Sequence, residues 1–267
     1  MRNDTAEPPS YVIPSLDRAF EVLEVLAAET HGLSLADLAR RTAIPKSTVF
    51  RILTTLEGRG AVALDDATRT YHLGHRLWVL GYSFVERSDL YHAAVPVMKA
   101  LASASGETVF LGRLDDGEVV YVRRIESPRS VAIVKKLGQR VPAHCTATGT
   151  AILAFLPDAD VAAVIEKHGL GACNDATVTD PAVFAERLAL ARVDGYVVVN
   201  GEYNRELLCV SAPVFDHTGR PRASLTVAMP AAASPTAAQQ ADVGRLVRDA
   251  AVGLSKSLGY LGRRTSA

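Results

Sequence analysis

The sequence predicts an α+β fold in two parts: a small helical part that ends in a β-hairpin, and a larger part of strand pairs and helices. Apolar residues recur at helical spacing in three segments between residues 14 and 57. Two short alternating runs then flank the polar turn at residues 65–69, which is the pattern of a hairpin. From residue 106 onwards, runs of strand type are interleaved with helical segments, as in an antiparallel α+β domain.

The composition indicates a globular protein with a sizeable core. Of the 267 residues, 48% are hydrophobic and 22% are charged, and the formal net charge is zero. No apolar run approaches the roughly 18–20 residues of a membrane span, and the polar, proline-rich N-terminus has no apolar centre of the signal-peptide kind. Cys145, Cys173 and Cys209 are odd in number and widely spaced, which indicates neither a disulfide framework nor a metal site. We therefore expect a cytoplasmic protein with no cofactor, no metal and no membrane contact.

The N-terminal elements are predicted from caps and periodicity. Residues 1–13 are expected to form a disordered arm, and Ser15 to cap a helix. The inner face of this helix should hold Leu16, Ala19, Phe20, Leu23, Leu26 and Ala27. Ser34 should cap a second short helix, and Pro45 should open a third helix at its first position, over residues 46–57. Residues 61–64 and 70–73 should form the hairpin.

The remaining chain is assigned to a linker and a second domain. We place the first domain at residues 14–75, a linker helix at 76–90 and the second domain at 91–262, with Pro96 marking a kink or a helix restart. Leu77, Leu80 and Phe84 form a stripe that suits a dimer or interdomain seam. Strands are expected at 108–113, 119–124, 131–134, 196–200, 207–215 and 223–228, and helices at 146–156, 159–168, 181–193 and 236–260.

The segment of the second and third helices carries a local excess of positive charge. Between Leu38 and Gly60, five basic residues face one acidic residue, a net +4 on a neutral chain. Three helices followed by a hairpin is the order of a winged helix-turn-helix, whose recognition helix presents its N-terminal residues to the major groove. The alternative is a helical domain whose basic residues only solvate its surface. The candidate contacts to double-stranded DNA are Arg40, Arg41, Lys46, Ser47, Thr48, Arg51 and Arg69.

Three longer segments carry further motifs: LSLADLARRTAIPKSTVFRILTTLEGRGAV, LGQRVPAHCTATGTAILAFLP and DGYVVVNGEYNRELLCVSAPVF. In this order they resemble the IclR family of bacterial transcription regulators. The first is similar to the family's helix-turn-helix, and the other two are similar to the segments around its effector pocket. The resemblance implies a GAF-like effector domain, a homodimer or dimer of dimers, and control of a catabolic operon by a small-molecule effector. It leaves repressor or activator undetermined.

The resemblance also implies the effector-binding residues, carried over one by one: Val141, Ala147, Thr148, Leu207, Cys209 and Thr226. Thr146 and Gly149 join them, because the start of the predicted helix offers unpaired N–H groups to a carboxylate and small residues let a ligand approach the backbone. Val199 and Ala228 replace an aspartate and a serine of glyoxylate-responsive members, and Thr150 follows Gly149 where many members have a cation. We therefore expect an aromatic or short aliphatic carboxylic acid.

Other interpretations compete at individual residues. Thr146 is equally well explained as a helix cap, and Cys209 as a small buried hydrophobe. His144 and Cys145 are adjacent in sequence, and neighbours on a backbone seldom point at each other, so a catalytic pair is not expected. The chain also lacks the common hydrolase, metalloprotease and nucleotide-binding motifs. We expect a regulator rather than an enzyme with a DNA-binding domain or a structural nucleoid protein.

Overall fold

The computed structural model describes residues 12–86, 89–126 and 137–262. The chain divides into two compact units, one ending at Arg87 and the other beginning at Ser88. Most of the predicted arm, and the predicted strand at 131–134, lie outside the described residues. Within the described residues, no helix has the length and apolar character needed to cross a bilayer.

The first unit contains the predicted helices and hairpin. Its elements are α1 Pro14–Ala27, α2 Leu35–Thr42, α3 Lys46–Gly58, β1 Val62–Asp65, β2 Thr70–Leu73 and α4 His75–Glu86. Val22, Leu38, Val49 and Leu53 are fully buried where the first three helices meet. Leu33 pairs with Tyr71 and so adds one bridge to the β1–β2 hairpin.

The prediction for the first helix was wrong at its start and on its inner face. The helix begins at Pro14, after Ile13, and no side chain caps it, so Ser15 is not the cap. Leu26 of the predicted inner face is buried, but Leu16 is 57% exposed and Phe20 is 65% exposed. The fully buried Val22 lies about 120° around the helix from Leu16.

The second and third helices begin where predicted, but Pro45 occupies a different position from the one expected. The Ser34 side chain caps α2 and accepts from the Asp37 N–H. Pro45 is the residue before α3 rather than its first residue, and its carbonyl accepts from the Thr48 and Val49 N–H groups. Ala43, in the turn between these helices, has a φ of +52°, in the left-handed region that favours glycine.

The second unit is an antiparallel sheet covered by helices. Its strands run in the spatial order β5-β4-β3-β8-β7-β6, and all neighbouring pairs are antiparallel. The elements in chain order are α5 Asp89–Ser105, β3 Thr108–Asp115, β4 Glu118–Ile125, β5 Arg140–Pro142, α6 Ala147–Leu153, α7 Asp158–His168, α8 Pro181–Asp194, β6 Val197–Asn200, β7 Leu207–Phe215, β8 Pro221–Pro230, a 3₁₀ turn Ala231–Ala233 and α9 Ala237–Ser257.

The central strands are covered on both faces. Every residue of β7 is buried, which requires cover above and below because successive side chains point to opposite faces. The short helix α6 packs on one face of β7, β8 and β3, and α5 and α9 pack on the other. The fold therefore places α6 and the β6–β7 connection on the same side of the sheet.

Several details of the second unit differ from the prediction. The short strand β5 had no sequence signal and was not predicted. The helix predicted at 146–156 is α6, which ends at Leu153 because Pro157 follows closely and the chain tightens into i→i+3 bonds at Phe155 and Leu156. Pro96 does not restart a helix, since α5 runs through it.

Candidate nucleic-acid interface and ligand cavity

The buried side of α3 fixes which of its side chains face outwards. Val49 and Leu53 are fully buried and Ile52 is 8% exposed. Lys46, Ser47 and Arg51 are exposed in consequence, and Thr48 is half-buried. The structure therefore brings the predicted candidates on this helix to one outward surface at its N-terminal half.

The two basic side chains of α3 at this surface are available for a ligand. Neither Lys46 nor Arg51 forms an ion pair with any residue that the structure describes. By contrast, the Thr54 and Thr55 hydroxyls donate to the Phe50 and Arg51 carbonyls of their own helix. Thr54 and Thr55 are thus occupied locally, as threonines in exposed helices often are.

Arg40 and Arg41 differ from the basic residues of α3 because each has an acidic partner. Arg40 pairs with Asp37 at 2.5 Å. The hydrogen bond from the Ser34 hydroxyl, followed by that from Arg40, lowers the pKa of the Asp37 carboxyl. Arg41 pairs with Glu29. Exposed ion pairs of this kind contribute little stability, about 0–1 kcal/mol, so either guanidinium can exchange its carboxylate for a phosphate.

The hairpin turn presents the last predicted DNA contact. Arg69 has a φ of +56°, its side chain is 73% exposed, and it pairs with Asp66 at 3.1 Å. Asp65 organises the turn by accepting the N–H groups of Ala67 and Thr68, and these bonds lower the pKa of its carboxyl.

Phe50 is a surface residue of α3 that the sequence reasoning missed. It is 52% exposed and lies next to Ser47 on the surface of α3, because residues three apart are neighbours on a helix. The sequence could have predicted the exposure of Phe50, because position 50 does not belong to the inward-facing series 49, 52, 53 and 56.

The second unit contains a cavity at the edge of its sheet. Its volume is about 20 Å³, and it lies beside the start of α6 and against the connection between β6 and β7. This space holds about one water molecule and is far below the roughly 300–1,000 Å³ of small-molecule sites, so a ligand can enter only when the walls move apart. Its lining residues are Tyr121, Cys145, Thr146, Ala147, Val199, Gly201, Glu202, Tyr203, Asn204, Leu207 and Cys209.

Four of the eight predicted effector residues line this cavity, and four do not. Thr146, Ala147, Leu207 and Cys209 border it. Thr146 also caps α6, because its hydroxyl accepts from the Gly149 N–H. Val141, Thr148, Gly149 and Thr226 are absent from the lining and are buried.

Thr148 and Thr226 lie instead between α6 and the sheet. Their hydroxyls are 2.7 Å apart, and the Thr148 hydroxyl also donates to the Tyr121 hydroxyl at 3.3 Å. Ser211 extends this chain, 2.8 Å from the Thr226 hydroxyl. Thr148 lies 100° around the helix from the cavity-facing Ala147. The hydroxyl chain orients Tyr121, which does line the cavity.

The physical reason given for Gly149 was wrong. A Cβ at this position would lie 2.2 Å from the Ala143 carbonyl oxygen. The missing side chain therefore lets the chain at Ala143 cross close over α6, and it does not open a path for a ligand.

The connection between β6 and β7 supplies lining residues that the sequence reasoning did not single out. Glu202 is 6% exposed, and its carboxylate is held by Arg187 of α8 at 2.8 Å and 3.0 Å and by the Val178 N–H. Gly201, Tyr203 and Asn204 complete this wall. The sequence could have indicated these lining residues, because polar and aromatic residues in a connection between strands are often functional.

His144 and Cys145 do not face each other. The His144 Nε2 atom lies 2.9 Å from the Gly171 carbonyl oxygen. The Cys145 sulfur lies 3.1 Å from that of Cys173 and 3.7 Å from the Pro142 carbonyl oxygen. The described residues contain no cluster of three or more His, Cys, Asp or Glu that could hold a metal ion.

Both units match descriptions of one family. Residues 15–66 match the IclR helix-turn-helix domain, and residues 82–256 match the bacterial transcriptional regulator IclR C-terminal domain. The chain belongs to the IclR family. The resemblance seen in the sequence is thereby confirmed, and so is the combination of a DNA-binding helix-turn-helix with an α+β effector domain.

Individual relatives of this IclR-family chain support the same assignment. It is 33% identical over 218 residues to the HTH-type transcriptional regulator BhcR of Paracoccus denitrificans, covering 82% of this chain and 78% of the relative. An IclR regulator from Alicyclobacillus acidocaldarius is 27% identical with a TM-score of 0.82, covering 93% of this chain and all of that one. An IclR homologue from Microbacterium hydrocarbonoxydans in complex with 4-hydroxybenzoate is 27% identical with a TM-score of 0.79, covering 91% and 98%. These relatives are transcriptional regulators, not enzymes.

Proposed function

We propose that this IclR-family regulator places α3 in the major groove of operator DNA. We further propose that its affinity for the operator rises or falls when a small carboxylic acid binds in the cavity of its second unit. The DNA-binding part of this proposal rests on the outward surface of α3, where Lys46 and Arg51 have no ion pair among the described residues. Since DNA is its partner, we infer that the protein acts in the cytoplasm.

Each DNA contact has a distinct role in this proposal. Arg51 can form two parallel hydrogen bonds to a guanine, a contact worth about 1–3 kcal/mol of discrimination. Lys46, Ser47 and Thr48 surround the uncapped start of α3, whose N–H groups suit a phosphate. Arg40, Arg41 and Arg69 bind backbone phosphates after exchanging their carboxylate partners.

Two exposed arginines, one on α3 and one just beyond its end, test the DNA contacts. Arg51→Ala should remove specific binding to the operator while the fold persists, as read by circular dichroism and anisotropy titration. Arg59→Ala is the matched control, because Arg59 is also exposed but lies just beyond the far end of α3. Equal operator affinity of the Arg51→Ala protein and the wild type would contradict the assignment.

The lining of the cavity indicates the class of effector. Ala147, Val199 and Leu207 supply apolar surface, and Thr146, Tyr121 and Asn204 supply polar atoms. A small ring or short chain with one polar end fits this mixture better than a small, very polar acid does. The structural relative that holds 4-hydroxybenzoate supports the same ligand class.

Two valines of one strand provide a test of the ligand class. Val199 borders the cavity, whereas Val198 points to the opposite face of β6. Val199→Asp should weaken the binding of benzoate or short-chain acids at least tenfold, as measured by calorimetry, because it adds a charge of the same sign as the ligand's. Binding of the corresponding neutral amides should be less affected. Val198→Asp should change neither. If the wild type binds neither benzoate nor any short-chain acid, the proposed ligand class is wrong.

We also infer that the protein is a homodimer or a dimer of dimers. Ile13, Leu16 and Phe20 are 57%, 57% and 65% exposed and lie at helical spacing on one face of α1, which a second copy can cover. Leu80, in the predicted seam, is likewise 57% exposed; the side chain of Phe84 lies outside the described residues. Analytical ultracentrifugation should give the mass of two or four chains for the wild type. The Phe20→Glu variant should have a lower mass. A wild-type monomer at micromolar concentration would contradict this inference.

A further inference from the structure

Cys145 and Cys173 are brought together by the fold although they are 28 residues apart in the sequence. Their sulfur atoms are 3.1 Å from each other, and both residues are free thiols. A disulfide bond is about 2.05 Å long, so a movement of about 1 Å would join them. The third cysteine, Cys209, is buried and is not the partner of either in this contact.

The two thiols differ in their environments. Cys145 is fully buried, and Cys173 is exposed. Burial, with the neighbouring Cys173 thiol, raises the pKa of the Cys145 thiol. Since the thiolate is the reactive form, Cys145 stays protonated and protected, and Cys173 is the thiol that an oxidant meets first.

The pair also connects the two walls of the ligand cavity. Cys145 belongs to the wall at the start of α6. Cys173 belongs to the α7–α8 connection, whose Thr177 hydroxyl accepts the Cys173 N–H and donates to the Glu202 carbonyl. The Asn174 side chain donates to the Gly201 carbonyl, and both Gly201 and Glu202 line the opposite wall. A bond between the sulfur atoms would therefore fix one wall relative to the other.

We propose that Cys145 and Cys173 form a reversible disulfide when the protein meets a hydroperoxide, and that this bond changes the affinity of the cavity for its ligand. The peroxide converts the Cys173 thiol to a sulfenic acid and is itself reduced to an alcohol, or to water. The Cys145 sulfur then bonds to the Cys173 sulfur, and the sulfenic hydroxyl leaves with the Cys145 proton as water. Two thiols thus lose two electrons and two protons, and a dithiol reductant reverses the change. Such bonds are transient in a reducing compartment, as a switch requires.

Peptide mapping of the full chain tests the bond itself. The three cysteines fall on three different tryptic peptides, so the linkage can be read directly after brief treatment with hydrogen peroxide and blocking of the remaining thiols. We expect the Cys145 and Cys173 peptides to be joined with the loss of two hydrogen atoms, and the link to disappear with dithiothreitol. Cys209→Ala should keep the link and Cys173→Ser should abolish it. Links between chains through Cys173, or Cys173 oxidised without any link, overturn the proposal.

The effect on the cavity rests on the proposed function and is measured separately. Acid binding by calorimetry should differ between the reduced and oxidised protein by about fivefold or more, the usual lower range of coupling between sites. The Cys173→Ser protein should show no such difference after the same treatment. Equal affinities of the two wild-type forms overturn the coupling. Absence of acid binding in both forms counts against the proposed ligand instead, because the peptide mapping needs neither acid nor DNA.

Discussion

Phe50 combines an apolar side chain with an exposed position beside Arg51, on the surface of α3 that the proposed function directs at DNA. Burying this ring against a partner would remove its unfavourable contact with water. In the major groove, the apolar group available to it is the C5-methyl group of thymine. We therefore expect Phe50 to add a base contact to the hydrogen bonds expected of Arg51.

The first prediction concerns this contact. Phe50→Ala should weaken operator binding by about 1 kcal/mol, or roughly fivefold, with little effect on random DNA. Replacing individual thymines of the operator by uracil, which lacks the methyl group, should reproduce the loss at one position. At that position the two changes should not add, as measured by anisotropy titration. Fully additive effects at every thymine would show that Phe50 contacts no methyl group.

At the scale of elements, α6 depends on a close crossing of the chain. The Ala143 carbonyl lies where a Gly149 side chain would be. The sequence placed a helix start here correctly, but only the structure identifies the neighbour, because Ala143 and Gly149 meet through a fold in the backbone that periodicity does not encode. The same limit explains why Thr148 and Thr226 were assigned to the cavity, although they lie under α6.

The second prediction compares two helical glycines. Gly149→Ala should destabilise the protein by about 1–3 kcal/mol through overpacking, measured by urea denaturation. Gly253→Ala in α9 is the control, since no atom lies within 4 Å of the added carbon. That change should be neutral or stabilising by up to about 1 kcal/mol, from helix propensity. Equal effects at both sites would refute the close crossing.

The third prediction concerns the wall built by the β6–β7 connection. Its Glu202 side chain is 7% exposed, and the paired Arg187 side chain is 19% exposed. Arg187→Met should cost about 3–5 kcal/mol, because it leaves a buried carboxylate without its cation. Arg187→Met combined with Glu202→Gln should cost less than the single change. A double variant at least as unstable as Arg187→Met would show that the ion pair does not hold this wall.

At the scale of the whole molecule, the order of elements could be predicted from the sequence, and the surfaces could not. Ser34, Pro45 and the polar turn at residues 65–69 were enough to predict the starts of α2 and α3 and the hairpin of the first unit. The predicted inner face of α1 was wrong at Leu16 and Phe20, because these residues are as apolar as core residues and periodicity does not distinguish a core face from an exposed apolar face. The division at 76–90 stays our proposal, with α4 as the linker helix.

Footprinting of a promoter fragment at physiological salt, with and without an aromatic acid, tests the central claim most directly. The account predicts a discrete protected sequence that the Arg59→Ala protein retains and the Arg51→Ala protein loses. It further predicts that the acid shifts the protein concentration needed for half protection by roughly 5- to 150-fold. No discrete protection under either condition, or protection without sequence preference, would contradict the account.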